Sequence, residues 1–119
     1  MQPMRVSREN RAASDTRRNL FALIKSRSFS RGTKMLVSGR STNYYFDMKP
    51  TMFHPAGAAW IAELMLDRIA KLKVDYVGGL AIGAVPLVNS IAVLSHQRGS
   101  PIPGFFVRAQ LKEIGRAHV

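Results

Sequence analysis

The sequence VGGLAIGAVPL, residues 77–87, decides the expected fold of this 119-residue chain. Its apolar start predicts a buried strand over residues 75–80, and its glycines lead into a helix predicted over residues 85–96. Glycines after a strand allow backbone N–H groups to approach an anion closely, next to the positive end of a helix dipole. The same glycines could instead serve only to let the strand and the helix pack tightly. The segment therefore predicts a strand, a turn and a helix, with a candidate anion site at the turn.

The sequence around this segment predicts an α/β domain. Residues 77–94 form an uncharged run that is as long as a membrane span. Glycines, Pro86 and two polar residues interrupt this run, so we reject a membrane span. A helix is predicted over residues 58–73, with Pro55 at its start and apolar residues three and four positions apart. Another strand is predicted after Pro103. Strands that alternate with helices are typical of a parallel sheet.

The N-terminal part predicts a helix followed by a hairpin. Ser14 and Asp15 are suitable N-caps for a helix over residues 15–26. Residues 33–37 alternate in polarity, and a turn-rich segment separates them from the strand-forming aromatic residues 44–46. This part of the chain therefore predicts two paired strands.

Positive charge is concentrated near the N-terminus. The chain has 18 Lys and Arg against 7 Asp and Glu, a formal net charge of +11, and ten of the 18 lie in the first forty residues. No aromatic residue interleaves with this run before Phe21, so the stacking surface of a single-strand binder is missing. We interpret residues 1–13 as a basic flexible tail, although an Arg-rich, acid-poor leader is also typical of an organelle transit peptide.

Composition and spacing exclude several enzyme classes. The chain has no cysteine, which excludes disulfides and thiolate metal sites and fits a reducing cytoplasm. None of its three histidines has a second one at metal-ligand spacing, and no two carboxylates form a glycosidase or protease pair. The sequence contains no GxSxG, Walker loop or complete GxGxxG. A generic metal hydrolase or nucleophilic enzyme is therefore not expected.

Three segments in fixed order resemble the N-terminal half of the orotate phosphoribosyltransferases, in the type I phosphoribosyltransferase family. They are SGRSTNYYFDMKPTM (residues 38–52), VGGLAIGAVPL and PIPGFFVR (residues 101–108). The resemblance extends from about Leu20 to Lys112. It implies an α/β fold over residues 14–112, with a parallel sheet, an N-terminal helix and a β-hairpin hood, truncated on its C-terminal side.

The resemblance also implies an activity. Enzymes of this family transfer the phosphoribosyl group of phosphoribosyl pyrophosphate to orotate, which yields orotidine 5'-monophosphate and pyrophosphate in pyrimidine (UMP) biosynthesis. Mg²⁺ is expected to bind together with phosphoribosyl pyrophosphate, without metal ligands from this chain. A cytoplasmic homodimer is implied for the full-length enzyme, with no nucleic-acid or membrane partner.

The matched residues on the orotate side lie near the aromatic run. Tyr45 and Phe46 match the pair that contacts the flat orotate ring. Successive strand residues face opposite ways, so one of the two is expected to pack inward and the other to meet the ligand. Arg40 and Lys49 place positive charge beside a carboxylate substrate, although Lys49 could equally be a solvated side chain. Val37 stands where many relatives have a lysine, which removes one presumed phosphate contact.

The matched residues on the phosphate side come from two segments. The residues that match the pyrophosphate-binding loop are Ala81, Ile82, Gly83 and Ala84. Many relatives carry a lysine at the position of Gly83, so contacts here must come from the backbone. Arg108 and Lys112 match basic residues of a mobile catalytic loop that neutralise the departing pyrophosphate. Ala109 and Ile114 replace a lysine and a histidine of that loop, and Arg108 could instead form a surface ion pair.

Two observations predict that the sequence is partial. The family's acidic strand and its Thr- and Gly-rich turn, which grip the ribose phosphate, do not occur after Arg108. The last residues, EIGRAHV (113–119), correspond to the translation of a common sequencing adapter, although a natural C-terminal turn is the alternative reading. We therefore expect a fragment that is inactive alone, with a non-native tail.

Two other functions stay open. One is a non-catalytic basic α/β domain that binds an anionic nucleotide or RNA, with an affinity that falls steeply with salt. The other is a complete paralogue that regulates rather than catalyses.

Overall fold

The structure, a computed structural model, describes residues 7–108 and residue 110. The chain divides into two compact units, with the boundary between Thr51 and Met52. The predicted domain limits, residues 14–112, remain a prediction. So does the reading of residues 113–119, which lie outside the described part of the chain.

The first unit begins with helix α1, Arg8–Arg27. The sequence predicts a start at Asp15, but the helix begins seven residues earlier, at Arg8, where the hydroxyl of Ser7 caps it by accepting a hydrogen bond from the N–H of Asn10 at 3.2 Å. The intervening Arg, Glu and Ala residues are good helix formers, so the helix continues back to this cap. Residues 8–13 of the predicted tail are therefore helical, and residues 1–6 lie outside the described residues.

The hairpin follows the helix. Strands β1 (Phe29–Met35) and β2 (Ser41–Phe46) pair antiparallel, which confirms the predicted hairpin. β1 begins four residues earlier than predicted, and its register shifts between Arg31 and Lys34. Gly39 in the connecting turn has a φ of 83°, a conformation that glycine adopts without strain.

A short segment closes the first unit. Four residues form helix α2, Lys49–Met52, which no periodicity in the sequence predicts. The hydroxyls of Ser28 and Thr51 lie 2.5 Å apart and both residues are buried, so each buried oxygen has a hydrogen-bond partner.

The second unit begins with helix α3, Pro55–Ile69, which starts at the predicted proline. Nδ1 of His54 caps it by accepting hydrogen bonds from the N–H groups of Ala56 and Gly57 at 3.2 and 3.3 Å. The helix ends before the predicted Lys73, whose φ of 51° lies in the left-handed region that an α-helix cannot contain.

A strand, a helix and a strand complete the second unit. They are β3 (Val77–Leu80), α4 (Val85–Gln97) and β4 (Gly104–Val107). β3 and β4 pair in parallel, with Val77 opposite Gly104 and Leu80 opposite Val107, which confirms the predicted parallel arrangement. No helix among residues 7–108 has the length and apolarity that crossing a membrane requires.

The core of the second unit lies between its two long helices. Ala62 and Leu66 from α3 and Ile91 from α4 are buried and form one apolar cluster. Val77 and Ile102 pack against it from the sheet side. The core therefore fixes α4 against β3 and β4, and so fixes the turn between β3 and α4.

Candidate functional site

The turn after β3 presents backbone donors at the carboxyl edge of the sheet. Of its four residues, Ala81 and Ala84 donate their N–H groups to the carbonyls of Val107 and Leu80, at 2.8 and 3.1 Å. Within the described part of the chain, the N–H groups of Ile82 and Gly83 donate to no backbone carbonyl. These two donors are therefore the ones available to an anion at this turn.

The glycines of the segment fall into two kinds. A Cβ on Gly79 would lie 2.5 Å from the Cβ of Ala84, and one on Gly78 would meet the ring of Phe105. Nothing lies within 4 Å of the Cβ position of Gly83. Close packing therefore accounts for Gly78 and Gly79, whereas Gly83 has open space where a ligand can approach.

The parallel pairing brings Arg108 to the same edge. Arg108 directly follows β4, whose last residue, Val107, lies beside Leu80 at the end of β3. Ala81, Ile82 and Arg108 line one cavity of about 500 Å³. Its other lining residues are Val85, Phe106 and Gln110. The structure therefore brings the predicted loop and the predicted arginine together, while Lys112 lies outside the described residues.

The Arg108 side chain is exposed at this cavity. Among residues 7–108 and 110, no carboxylate lies within ion-pair distance of its guanidinium. The ion pairs of the described chain involve Arg18, Lys49 and Arg98 instead. The positive charge of Arg108 is therefore not neutralised by the described protein and can face an anion.

On the hairpin, the predicted aromatic pair separates to the two faces of β2. Phe46 lies opposite Phe29, and Tyr45 lies opposite Ser30. The expectation that one of the pair packs into a core is wrong, because Tyr45 and Phe46 are 38% and 52% exposed. A two-stranded hairpin has too little structure to bury its faces, so aromatic character alone does not indicate burial here.

The Phe46 face carries residues that the sequence did not single out. The rings of Phe29 and Phe46 have centroids 5.1 Å apart, and Tyr44 meets Phe46 edge-on at 6.1 Å. The guanidinium of Arg31 lies 5.9 Å from the centroid of Phe29. The alternation of Phe29 and Arg31 is the signal that could have placed them on one strand face.

The two predicted cations of the orotate side lie at opposite ends of β2. Arg40 precedes the first residue of the strand and Tyr45 is its fifth, so their Cα atoms are about 17 Å apart along an extended chain. Lys49 lies beyond the other end, and its Nζ forms an ion pair with Asp47 at 3.2 Å. The hairpin therefore does not bring Arg40 beside Tyr45 or Phe46, and it leaves Lys49 partly neutralised.

The described residues offer no metal site of their own. Across residues 7–108 and 110, no three His, Asp or Glu side chains come close enough together to hold a metal ion.

Comparisons with known proteins identify relatives of this chain. No family model matches the chain. The orotate phosphoribosyltransferase of Rhodopseudomonas palustris is 51% identical over 102 residues, which are 86% of this chain and 54% of that protein. The crystal structure of the Mycobacterium tuberculosis orotate phosphoribosyltransferase matches with a TM-score of 0.69 and 32% identity, over 87% of this chain and 61% of that one.

A second crystal structure of the M. tuberculosis enzyme, in complex with 5-phospho-α-D-ribosyl 1-diphosphate, matches with a TM-score of 0.64 and 34% identity. That match covers 78% of this chain and 53% of the enzyme. The chain spans about half the length of the curated relatives it matches. Over that half, in sequence and in fold, the chain is a homologue of the orotate phosphoribosyltransferases, of the type I phosphoribosyltransferase kind.

Proposed function

We propose that the full-length protein is an orotate phosphoribosyltransferase. In this reaction N1 of orotate displaces pyrophosphate from C1 of phosphoribosyl pyrophosphate, and orotidine 5'-monophosphate is formed. The observation that carries the proposal is the single cavity that Ala81, Ile82 and Arg108 line at the carboxyl edge of the parallel strands. Ligands in open α/β sheets bind at this edge.

The phosphate side of the site would combine two kinds of donor. The N–H groups of Ile82 and Gly83 are available to bind diphosphate oxygens, because no backbone carbonyl in the described chain accepts from them. The guanidinium of Arg108 would stabilise the charge that develops on the leaving pyrophosphate, and Lys112 would assist it. The phosphoribosyl diphosphate complex of the M. tuberculosis relative supports this ligand.

The orotate side would lie on the hairpin. An exposed aromatic ring from the pair Tyr45 and Phe46 suits a planar, polar ring, and a nearby cation suits its carboxylate. We also propose that Mg²⁺ accompanies the diphosphate and offsets part of its charge. We further propose that the full-length protein forms a homodimer in the cytoplasm. The lack of cysteine in this chain fits that compartment.

Replacing Arg108 with Gln is expected to weaken pyrophosphate binding to the chain by about tenfold or more, because a charge-assisted hydrogen bond to an anion is lost. Isothermal titration with pyrophosphate measures the affinity. Arg68→Gln, which removes the same charge from an exposed position on α3, is the control and should leave the affinity unchanged. Equal losses of pyrophosphate affinity in both variants would show that the net charge of the chain, and not the position of Arg108, causes the effect.

The 119-residue chain alone is expected to release little or no pyrophosphate from orotate and phosphoribosyl pyrophosphate. The resemblance assigns the ribose-phosphate contacts to an acidic segment that the sequence after Arg108 does not contain. A coupled pyrophosphate assay measures the release, and turnover at the rate of a natural enzyme would contradict this expectation. The non-catalytic alternative predicts instead RNA binding that weakens steeply with salt and does not respond to orotate.

A further inference from the structure

Helix α1 carries positive charge that the proposed reaction does not use. Its two carboxylates, Glu9 and Asp15, stand against six cations. The six cations are all exposed, and they are Arg8, Arg11, Arg17, Arg18, Lys25 and Arg27. Within the described part of the chain, the one ion pair on this helix joins Arg18 to Asp15 at 3.8 Å, and both side chains remain more than half exposed. The outer surface of α1 is therefore positive and accessible to a partner.

Three of these cations form a regular stripe along the helix. Arg11, Arg18 and Lys25 are spaced seven residues apart. Seven residues fall about 20° short of two helical turns, so the three side chains leave α1 in nearly the same direction, about 10.5 Å apart along its axis. The buried Leu20 is two residues beyond Arg18 and therefore lies on the opposite side of the helix. We refer to Arg11, Arg18 and Lys25 as the basic stripe.

An exposed aromatic ring lies beside the basic stripe. Phe21 is three residues after Arg18 and four before Lys25, which places it next to both on the helix surface. It is 67% exposed. Spacings of three and four residues that add up to seven are typical of the contact face between two helices. The stripe therefore combines charge with one apolar contact, as the contact face of a helix does.

Two other classes of polyanion fit this surface less well. A helix that lies on a membrane inserts its apolar side, but in α1 Leu20 is buried, Leu23 and Ile24 are half-buried, and the helix contacts β1. Proteins that bind single-stranded nucleic acids combine cations with several stacking rings. Phe21 is the only aromatic residue in α1. The surface therefore favours an acidic protein segment.

The spacing of the basic stripe indicates the conformation of that segment. Carboxylates seven residues apart on an α-helix recur every about 10.5 Å, in step with the three cations. In an extended peptide, side chains on one face recur every about 6.6–6.8 Å and fall out of step with the stripe. Charges that match in register select the partner and its orientation when two helices pair.

We propose that the basic stripe docks an acidic α-helix of a partner protein. The partner carries Asp or Glu at every seventh residue, opposite Arg11, Arg18 and Lys25, and an apolar side chain against Phe21. A single exposed ion pair contributes little to affinity, so the specificity comes from three pairs in register. This inference does not depend on the proposed function.

The test measures the binding of two labelled helical peptides to the 119-residue chain by fluorescence anisotropy. One peptide has Glu at three positions seven residues apart, with Leu placed to meet Phe21. The other has the same composition and helicity, with its Glu residues out of step. The chain should bind the first peptide about tenfold more tightly, and joint replacement of Arg11, Arg18 and Lys25 with Gln should abolish this preference.

The matched control removes the same charge from other positions of α1. Joint replacement of Arg8, Arg17 and Arg27 with Gln should leave the preference for the first peptide intact. A charge exchange gives a gain of binding as a second readout. A chain with Glu at the three stripe positions should bind a peptide that carries Lys in place of its three Glu residues. Circular dichroism checks that each variant keeps the helix.

Several outcomes would overturn the inference. Failure to bind either peptide, equal binding of both, or equal losses in the two triple variants would leave no role for the spacing of the stripe. RNA of about 20 nucleotides, or vesicles of phosphatidylcholine and phosphatidylserine, serve as competing probes. Tighter binding of either probe than of the first peptide, lost when the stripe is replaced, would assign this surface to nucleic acid or to a membrane instead.

Discussion

Replacing Gly79 with Ala is expected to lower the free energy of unfolding of the second unit by about 1–3 kcal/mol. The new Cβ would lie 2.5 Å from the Cβ of Ala84, far inside van der Waals contact, and neither backbone can withdraw without disturbing the sheet or α4. Urea denaturation followed by the fluorescence of Trp60 measures the change. Trp60 is the only tryptophan in the chain and lies on α3, in the same unit.

The matched control is Gly83→Ala in the same segment. Its Cβ position has nothing within 4 Å, and its φ is not positive, so the unit should keep its stability or gain slightly from a less flexible unfolded chain. Equal destabilisation by the two variants would contradict the packing role assigned to Gly79. Because Ala84 closes the turn that we propose binds the diphosphate, Gly79→Ala should also weaken pyrophosphate binding.

Replacing Ile91 with Ala is expected to have the largest effect, a loss of about 2–5 kcal/mol in the free energy of unfolding. Ile91 is 1% exposed and contacts the buried face of α3 through Ala62 and Leu66. Truncation removes buried apolar surface and leaves a cavity where the two helices meet.

Ile91→Val removes a single methylene group and calibrates this experiment. It should cost about 0.5–1.5 kcal/mol, because most of the packing against α3 is retained. The same urea titration reports both variants. A Val variant as unstable as the Ala variant would indicate that Ile91 acts through its shape and not through the volume it fills.

Much of the second unit could be predicted from the sequence. Its glycines and prolines mark where each strand and helix ends, and Trp60, Leu64 and their neighbours on α3 repeat at helical spacing. The meeting of Arg108 with the Ala81 turn was also predictable, since the carboxyl ends of parallel strands lie at one edge. Two boundaries were misplaced: α3 ends before Lys73, which adopts a left-handed conformation, and β3 begins two residues later than predicted.

The first unit was harder to predict, for physical reasons. Ser7 and Ser14 are equally good caps, and the apolar periodicity that would choose between them begins only near Leu20. The exposure of Tyr45 and Phe46 could not be predicted, because strand propensity describes how well a residue fits a pleated surface and does not say which other element covers its side chain. The position of Arg40 relative to these rings depends on the strand register, which composition does not define.

The hydrogen bond from the Ala81 N–H to the Val107 carbonyl, 2.8 Å long, has a consequence for ligand affinity. It joins the turn that carries the backbone donors to the residue just before Arg108, so their spacing is set when the chain folds. The entropy of ordering these groups is therefore lost during folding and not on binding. A preorganised site of this kind can hold a small, highly charged anion with few contacts.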